Sequence, residues 1–73
     1  MKKTFQMEDL DCANCAAKME KAISKIDGVR SVTVSFFAQK LILEGEDEKW
    51  DAIVKAAAEA VRRVDPDCRV IVK

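Results

Sequence analysis

Polar and apolar residues alternate through Thr4-Phe5-Gln6-Met7-Glu8, the period of a strand with one covered face, which sends Phe5 and Met7 to the core. The polar pair Glu8-Asp9 then leads into a loop. From Cys15 the period changes: Cys15, Met19, Ala22, Ile23 and Ile26 recur at three- and four-residue steps, one face of a helix. Asp27-Gly28 ends that helix, because glycine takes the left-handed conformation without a Cβ penalty. Alternation returns from Val29 to Phe36, with Val32, Val34 and Phe36 on one side and Ser31, Thr33 and Ser35 on the other. Phe37-Ala38-Gln39 is read as a turn that lacks the usual glycine or asparagine, and Lys40-Leu41-Ile42-Leu43-Glu44 as the returning strand, closed by Gly45.

Asp47 is read as the cap of a second helix, with Glu48 in its first turn. The apolar stripe of that helix is Trp50, Ile53, Val54, Ala57, Val61 and Val64, and its outer face carries Asp51, Lys55, Glu59 and Arg63 at four-residue steps of alternating charge. Pro66 prevents continuation, and Cys68 to Val72 reads as a short final strand. The order β-α-β-β-α-β predicts an α+β, ferredoxin-like sandwich: a four-stranded antiparallel sheet with both helices on one face. In that topology the loop after the first strand, the turn between the second and third, and the loop after the second helix share one end of the sheet. The Cys12 loop is therefore expected beside Phe36-Phe37 and beside Asp65-Pro66-Asp67-Cys68.

Size and charge narrow the picture. At 73 residues the chain suits one domain spanning 1–73. Its 49% apolar content suffices for one small core, although a domain this short buries only about 60% of its unfolded surface. The 13 basic and 13 acidic residues cancel, which removes the basic footprint that nucleic-acid binding needs. No apolar run has the length of a membrane span, and no signal-peptide core is present. The expectation is a soluble, cytoplasmic, monomeric domain without membrane insertion, either free or the soluble end of a longer membrane protein.

The chemistry sits in Cys12-Ala13-Asn14-Cys15, directly after Asp11. Two thiols three positions apart converge on one soft metal ion or on one disulfide. Free N–H groups and the positive end of a helix dipole favour thiolate, so the cysteine pKa values are expected to fall. The chain has three cysteines and no histidine, so a closed four-ligand zinc site of Cys and His is not available within it, and the site must be open, low-coordinate or completed by oxygen. Two thiolates alone suit linear Cu(I). A carboxylate from Asp11 adds a hard ligand that suits Zn(II), with Cd(II) and Pb(II) as competitors. Asp11 also reads as a helix cap. Cys68 reads either as a third thiolate for a heavy ion or as a small core residue in phase with Val70 and Val72. Glu8, Asp9, Asp65 and Asp67 read as solvated loop positions or as an acidic rim that attracts divalent cations. Lys18, Lys21 and Lys25 form a basic stripe on the first helix, and Phe37 and Ile42 are candidates for exposure on the turn and sheet.

The segment Leu10-Asp11-Cys12-Ala13-Asn14-Cys15-Ala16-Ala17-Lys18-Met19-Glu20, with Asp27-Gly28-Val29 downstream, resembles the heavy-metal-associated domain family. Within it the chain is most similar to the N-terminal metal-binding domains of bacterial zinc-, cadmium- and lead-exporting P-type ATPases. Copper members carry Gly-Met-Thr before the first cysteine, where this chain has Asp9-Leu10-Asp11. The resemblance implies that Cys12, Cys15 and Asp11 hold the ion and that the domain delivers it to, or regulates, a membrane pump. The chain by itself is then not an enzyme; it contains no nucleophile–base pair or nucleotide motif. The alternatives are a free metallochaperone, a copper(I) chaperone that ignores Asp11, and a CxxC dithiol redox protein. A thioredoxin-like redox fold would need a longer chain and a cis-proline facing the site, and Pro66 is the only proline.

Overall fold

The computed structural model describes residues 1–10 and 12–71. Its elements are β1 (Lys2–Glu8), α1 (Ala13–Ser24), β2 (Val29–Ser35), β3 (Lys40–Gly45), a single 3-10 turn (Asp47–Lys49), α2 (Trp50–Val64) and β4 (Arg69–Ile71). The strands form one antiparallel sheet in the order β2-β3-β1-β4. The two helices cover one face of it, the ferredoxin-like arrangement that the order of elements predicts.

Helix stripes and strand alternation meet in one core. Met19 and Ile23 of α1, and Ile53, Ala57 and Val61 of α2, are buried against Phe5, Met7, Leu41 and Leu43 of the central strands. Each large side chain so covered stabilises the fold by roughly 1.5–3 kcal/mol. Trp50 stacks on Phe5 with ring centroids 6.4 Å apart and an interplanar angle of 20°, which fixes the start of α2 over β1. On the outer face of α2, Asp51, Lys55, Glu59 and Arg63 are all exposed.

Several boundaries differ from the sequence expectation. Helix α1 stops at Ser24, and the chain tightens into three-residue turns, Ile26 N–H donating to the Ile23 carbonyl and Val29 N–H to the Ile26 carbonyl. Gly28 follows with φ +94°. Asp47 does not cap α2. It starts the 3-10 turn, its carboxylate meets the Met1 ammonium at 2.6 Å, and the residue before α2 is Lys49, with no side-chain cap. The extra turn tightens the approach to Trp50 and moves Asp47 out of capping reach. Strand β4 begins at Arg69, with Cys68 in the bend before it, while Val72 lies outside the described residues. Asp65 closes α2 in an extended conformation, as the residue before a proline prefers.

At the end of the sheet away from the cysteines, β2 and β3 run close together beneath α2. The Gly28 carbonyl accepts from Glu46 N–H at 3.0 Å. A Cβ on Gly45 would lie 2.8 Å from Ile53 Cδ1 and 2.9 Å from the Gly28 carbonyl oxygen. The second of these atoms belongs to the backbone and has little room to yield. Gly45→Ala is expected to lower stability by about 1–3 kcal/mol, the usual cost of overpacking. Urea unfolding checks this; an unchanged midpoint would show that the two glycines do not set the strand approach.

Candidate metal centre

The β1–α1 loop starts where Asp9, at φ +61°, turns the chain out of the strand. Leu10 then drops into the core, 2% exposed, and anchors the loop from beneath. Cys12 is the N-cap of α1 and Cys15 lies in its first turn. The Cys12 sulfur accepts the Cys15 N–H at 3.3 Å. A thiol therefore occupies the cap position that serine or aspartate usually fills, and it uses one of the free amides of the helix end. Both thiols are half-buried. Asp11, the expected third ligand and alternative cap, lies outside the described residues. The cap within the described structure is Cys12, which sequence reading placed in the loop.

The expected acid shift of both thiols is not what the environment of Cys15 produces. Its pKa is pushed up, first by hydrogen bonding to the Cys12 sulfur, then by partial burial, then by the negative charges of Cys12 and Asp65; Lys18 works in the opposite direction. Two sulfurs one helical turn apart favour sharing a proton over carrying two charges side by side. The net direction at Cys15 is upward, with the hydrogen bond to Cys12 as its first cause.

The predicted neighbourhood assembles around this loop. Gln39, at the end of the β2–β3 turn, bonds the loop through Leu10. Asp9, Asp65, Pro66, Asp67 and Arg69 line one open depression beside it. The acidic rim is partly answered within the protein: Glu8 lies 4.0 Å from Arg69, and Asp65 accepts the Asp67 N–H at 3.0 Å. Lys18, Lys21 and Lys25 are exposed, as is Phe37 at 96%, with its ring edge-on to Phe36. Ile42 is half-buried.

Cys68 is 0% exposed and belongs to the core cluster against which Cys15 packs. Its N–H donates to the Asp65 carbonyl at 3.1 Å. Among the described residues, no group of three His, Cys, Asp or Glu side chains is placed to hold an ion. Two contacts were missed in the sequence. Glu20 on α1 accepts the Val34 N–H at 3.0 Å and so covers an amide of edge strand β2. Gln39 is the other; the visible clue was a long amide in a turn that lacked glycine.

Comparison with known proteins places the site in context. Residues 4–64 match the family described as the heavy-metal-associated domain. A probable cadmium-transporting ATPase of Staphylococcus aureus is 41% identical over 73 residues, covering 89% of this chain and 9% of that protein. A cadmium, zinc and cobalt-transporting ATPase of Bacillus subtilis is 31% identical over 72 residues, covering 96% and 10%. The chain thus spans about a tenth of the length of these curated relatives. Among solved structures, the N-terminal domain of a potential copper-translocating P-type ATPase from Bacillus subtilis, in its Cu(I)-loaded state, superposes with a TM-score of 0.76 at 30% identity, covering 94% of this chain and 84% of that one.

The thiol geometry predicts a titration. In the reduced, metal-free protein, the titration step of Cys15, followed by its Cβ chemical shift, should lie above the ordinary thiol value. Cys12→Ser should bring the Cys15 step to lower pH, because it removes the first-named cause of the shift. A thiol held above its unfolded pKa binds its proton more tightly in the fold. Its contribution to stability is therefore complete at neutral pH and is lost as pH rises through the folded value. A single unperturbed step in both proteins would refute the sulfur–sulfur contact.

Proposed function

Since the chain belongs to the heavy-metal-associated domain family, we propose that it captures one borderline divalent ion, Zn(II) with Cd(II) and Pb(II) as competitors, through Cys12, Cys15 and Asp11. As a domain of that family it is a metal-binding module, not an enzyme. The observation that carries the proposal is the placement of two half-buried thiols at one helix N-terminus, joined through the Cys15 N–H to Cys12 sulfur bond. The sulfurs supply the soft ligands. The Asp11 carboxylate supplies the oxygen that zinc accepts and Cu(I) gains little from. The similar cadmium- and zinc-transporting ATPases support the same choice of ion.

The ion is cargo, and the chemistry is ligand exchange. An incoming ion displaces the protons of the two thiols, so loading releases protons and weakens as pH falls. With no four-ligand cage around it, the ion keeps a coordination position through which an acceptor's thiolate can enter before Cys12 or Cys15 leaves. Cys68, enclosed in the core, serves packing and stays out of this exchange. The acceptor is the body of a metal-exporting P-type ATPase, with this domain at its cytoplasmic N-terminus; a free metallochaperone would use the same steps. No helix among the described residues is long and apolar enough to cross a membrane.

A copper(I) reading is favoured by the similarity to copper-transporting proteins, among them a Cu(I)-loaded ATPase domain. The two readings part at Asp11. In competition titrations of the reduced chain, Asp11→Ala should weaken zinc by on the order of tenfold or more and leave Cu(I) within about twofold, because only the divalent ion uses the oxygen. Cys12→Ser or Cys15→Ser should abolish tight binding of both. X-ray absorption of the zinc-loaded chain should report two sulfur neighbours with oxygen completing the shell. Equal losses for zinc and copper in Asp11→Ala would remove Asp11 as the selecting group. Saturation with zinc that leaves both sulfurs unligated would end the proposal. Insulin-type disulfide reduction that survives chelator, with no stoichiometric metal, would point to dithiol redox chemistry instead.

A further inference from the structure

The last residue of the β2–β3 turn has a backbone that suits glycine or asparagine, and it is a glutamine. Gln39 has φ +55°, a region where side chains other than Asn, Asp or His are rare and strained. Four hydrogen bonds hold it there. Its carbonyl accepts the Met7 N–H at 2.7 Å. Its Oε1 accepts the Leu10 N–H at 3.0 Å. Its Nε2 donates to the Leu10 carbonyl and, at 2.8 Å, to the Phe36 carbonyl.

Leu10 needs such a partner. It lies past the end of β1, its side chain is buried, and its peptide groups are outside the sheet ladder. Half-buried backbone groups left unpaired are costly. A primary amide offers a donor and an acceptor side by side, so one side chain satisfies both groups of Leu10. Glycine would relieve the backbone of residue 39 but remove all three side-chain bonds. Asparagine would tolerate the backbone, yet it is one methylene shorter. The strained backbone is kept where the side chain reaches the loop, and the tethered residue stands two positions before the Cys12 cap.

We infer that Gln39 is a positioning residue for the Cys12–Cys15 pair: it ties the thiol loop to the β2–β3 turn and sets where Cys12 stands on α1 before an ion arrives. A loop ordered in advance does not draw on binding energy to become ordered. On the metal-binding reading of the two cysteines, from which this consequence follows, the clamp lengthens the residence of the ion.

The test compares the reduced native chain with Gln39→Gly and Gln39→Glu. Glycine deletes the clamp and relaxes the backbone. Glutamate keeps length and acceptor but at neutral pH cannot donate to either carbonyl. Three quantities are read: Leu10 amide exchange, the ratio of Cys12 to Cys15 alkylation by iodoacetamide, and Cd(II) dissociation into excess chelator. Ile53→Val, at the far end of the core, controls for a general loss of stability.

Both Gln39 variants should speed Leu10 exchange and Cd(II) release by about tenfold, the effect of losing one or two net hydrogen bonds. The alkylation ratio should shift by about threefold or more as Cys12 loses its fixed place. Ile53→Val should leave the alkylation ratio and the Cd(II) release rate at native values. Native exchange at Leu10 in both variants would show that there is no clamp. Fast exchange with an unchanged alkylation ratio and native ion release would make Gln39 a turn residue only. If the native chain takes up no ion, the metal reading fails, and the two metal-free measurements still decide the clamp.

Discussion

Both helices have to bury their apolar stripes on a single face of a four-stranded sheet, and everything else in the molecule follows from that constraint. With so short a chain there is one core to share, and Met19, Ile23, Ile53 and Val61 meet Met7, Leu41 and Leu43 in it. The two ends of the sheet carry the loops, and they differ in character. One end is closed by the approach of Gly28 to Gly45 under Ile53. The other holds the half-buried thiols, the acidic depression and the exposed Phe37.

At the thiol end, anchoring and openness are separated along the chain. Leu10 is fully inside, and Cys12 and Cys15 are at the surface of the same structure only a few residues later. Burial of the Leu10 side chain, with its peptide groups paired to Gln39, anchors the start of the loop. Cys12 caps α1, and Cys15 packs at the edge of the core. On the proposed function, an ion could leave this site without dismantling the core that holds Leu10.

The protonation of the pair shows how local electrostatics depends on more than the helix end. A helix N-terminus lowers the pKa of a lone thiol, and the position of the two cysteines suggested that both would respond this way. In the folded protein the Cys15 thiol is hydrogen-bonded to the Cys12 sulfur, and the charge of Asp65 also acts on it. The hydrogen bond between the sulfurs, partial burial and the neighbouring negative charges all favour the protonated form of Cys15. On the proposed function, an ion held by Cys12 and Cys15 would take the place of the thiol protons and supply the positive charge that the pair lacks.

Periodicity carried most of the architecture. Phe5, Met7, the α2 stripe from Trp50 to Val61 and the alternation through β2 could be read directly, since a side chain's face is set by its position in a repeat of two or 3.6 residues. The pairing of Cys12 with Cys15 was also legible, because three positions at a helix start bring two side chains onto one turn. Other features are decided by neighbours distant in the chain. Asp47 left its capping role once the 3-10 turn formed and the Met1 ammonium came within 2.6 Å. The full enclosure of Cys68 required the helices and sheet to close around it. Gln39 acquired its partners only when the β2–β3 turn was laid against Leu10, 29 positions earlier in the chain. The chain alone determined which residues face inward and which two sulfurs stand together, for those are matters of local geometry. Which polar groups hold the loop, and which way the Cys15 thiol shifts, were left to the tertiary structure, because hydrogen bonds and charges act through space between segments that no repeat along the chain connects.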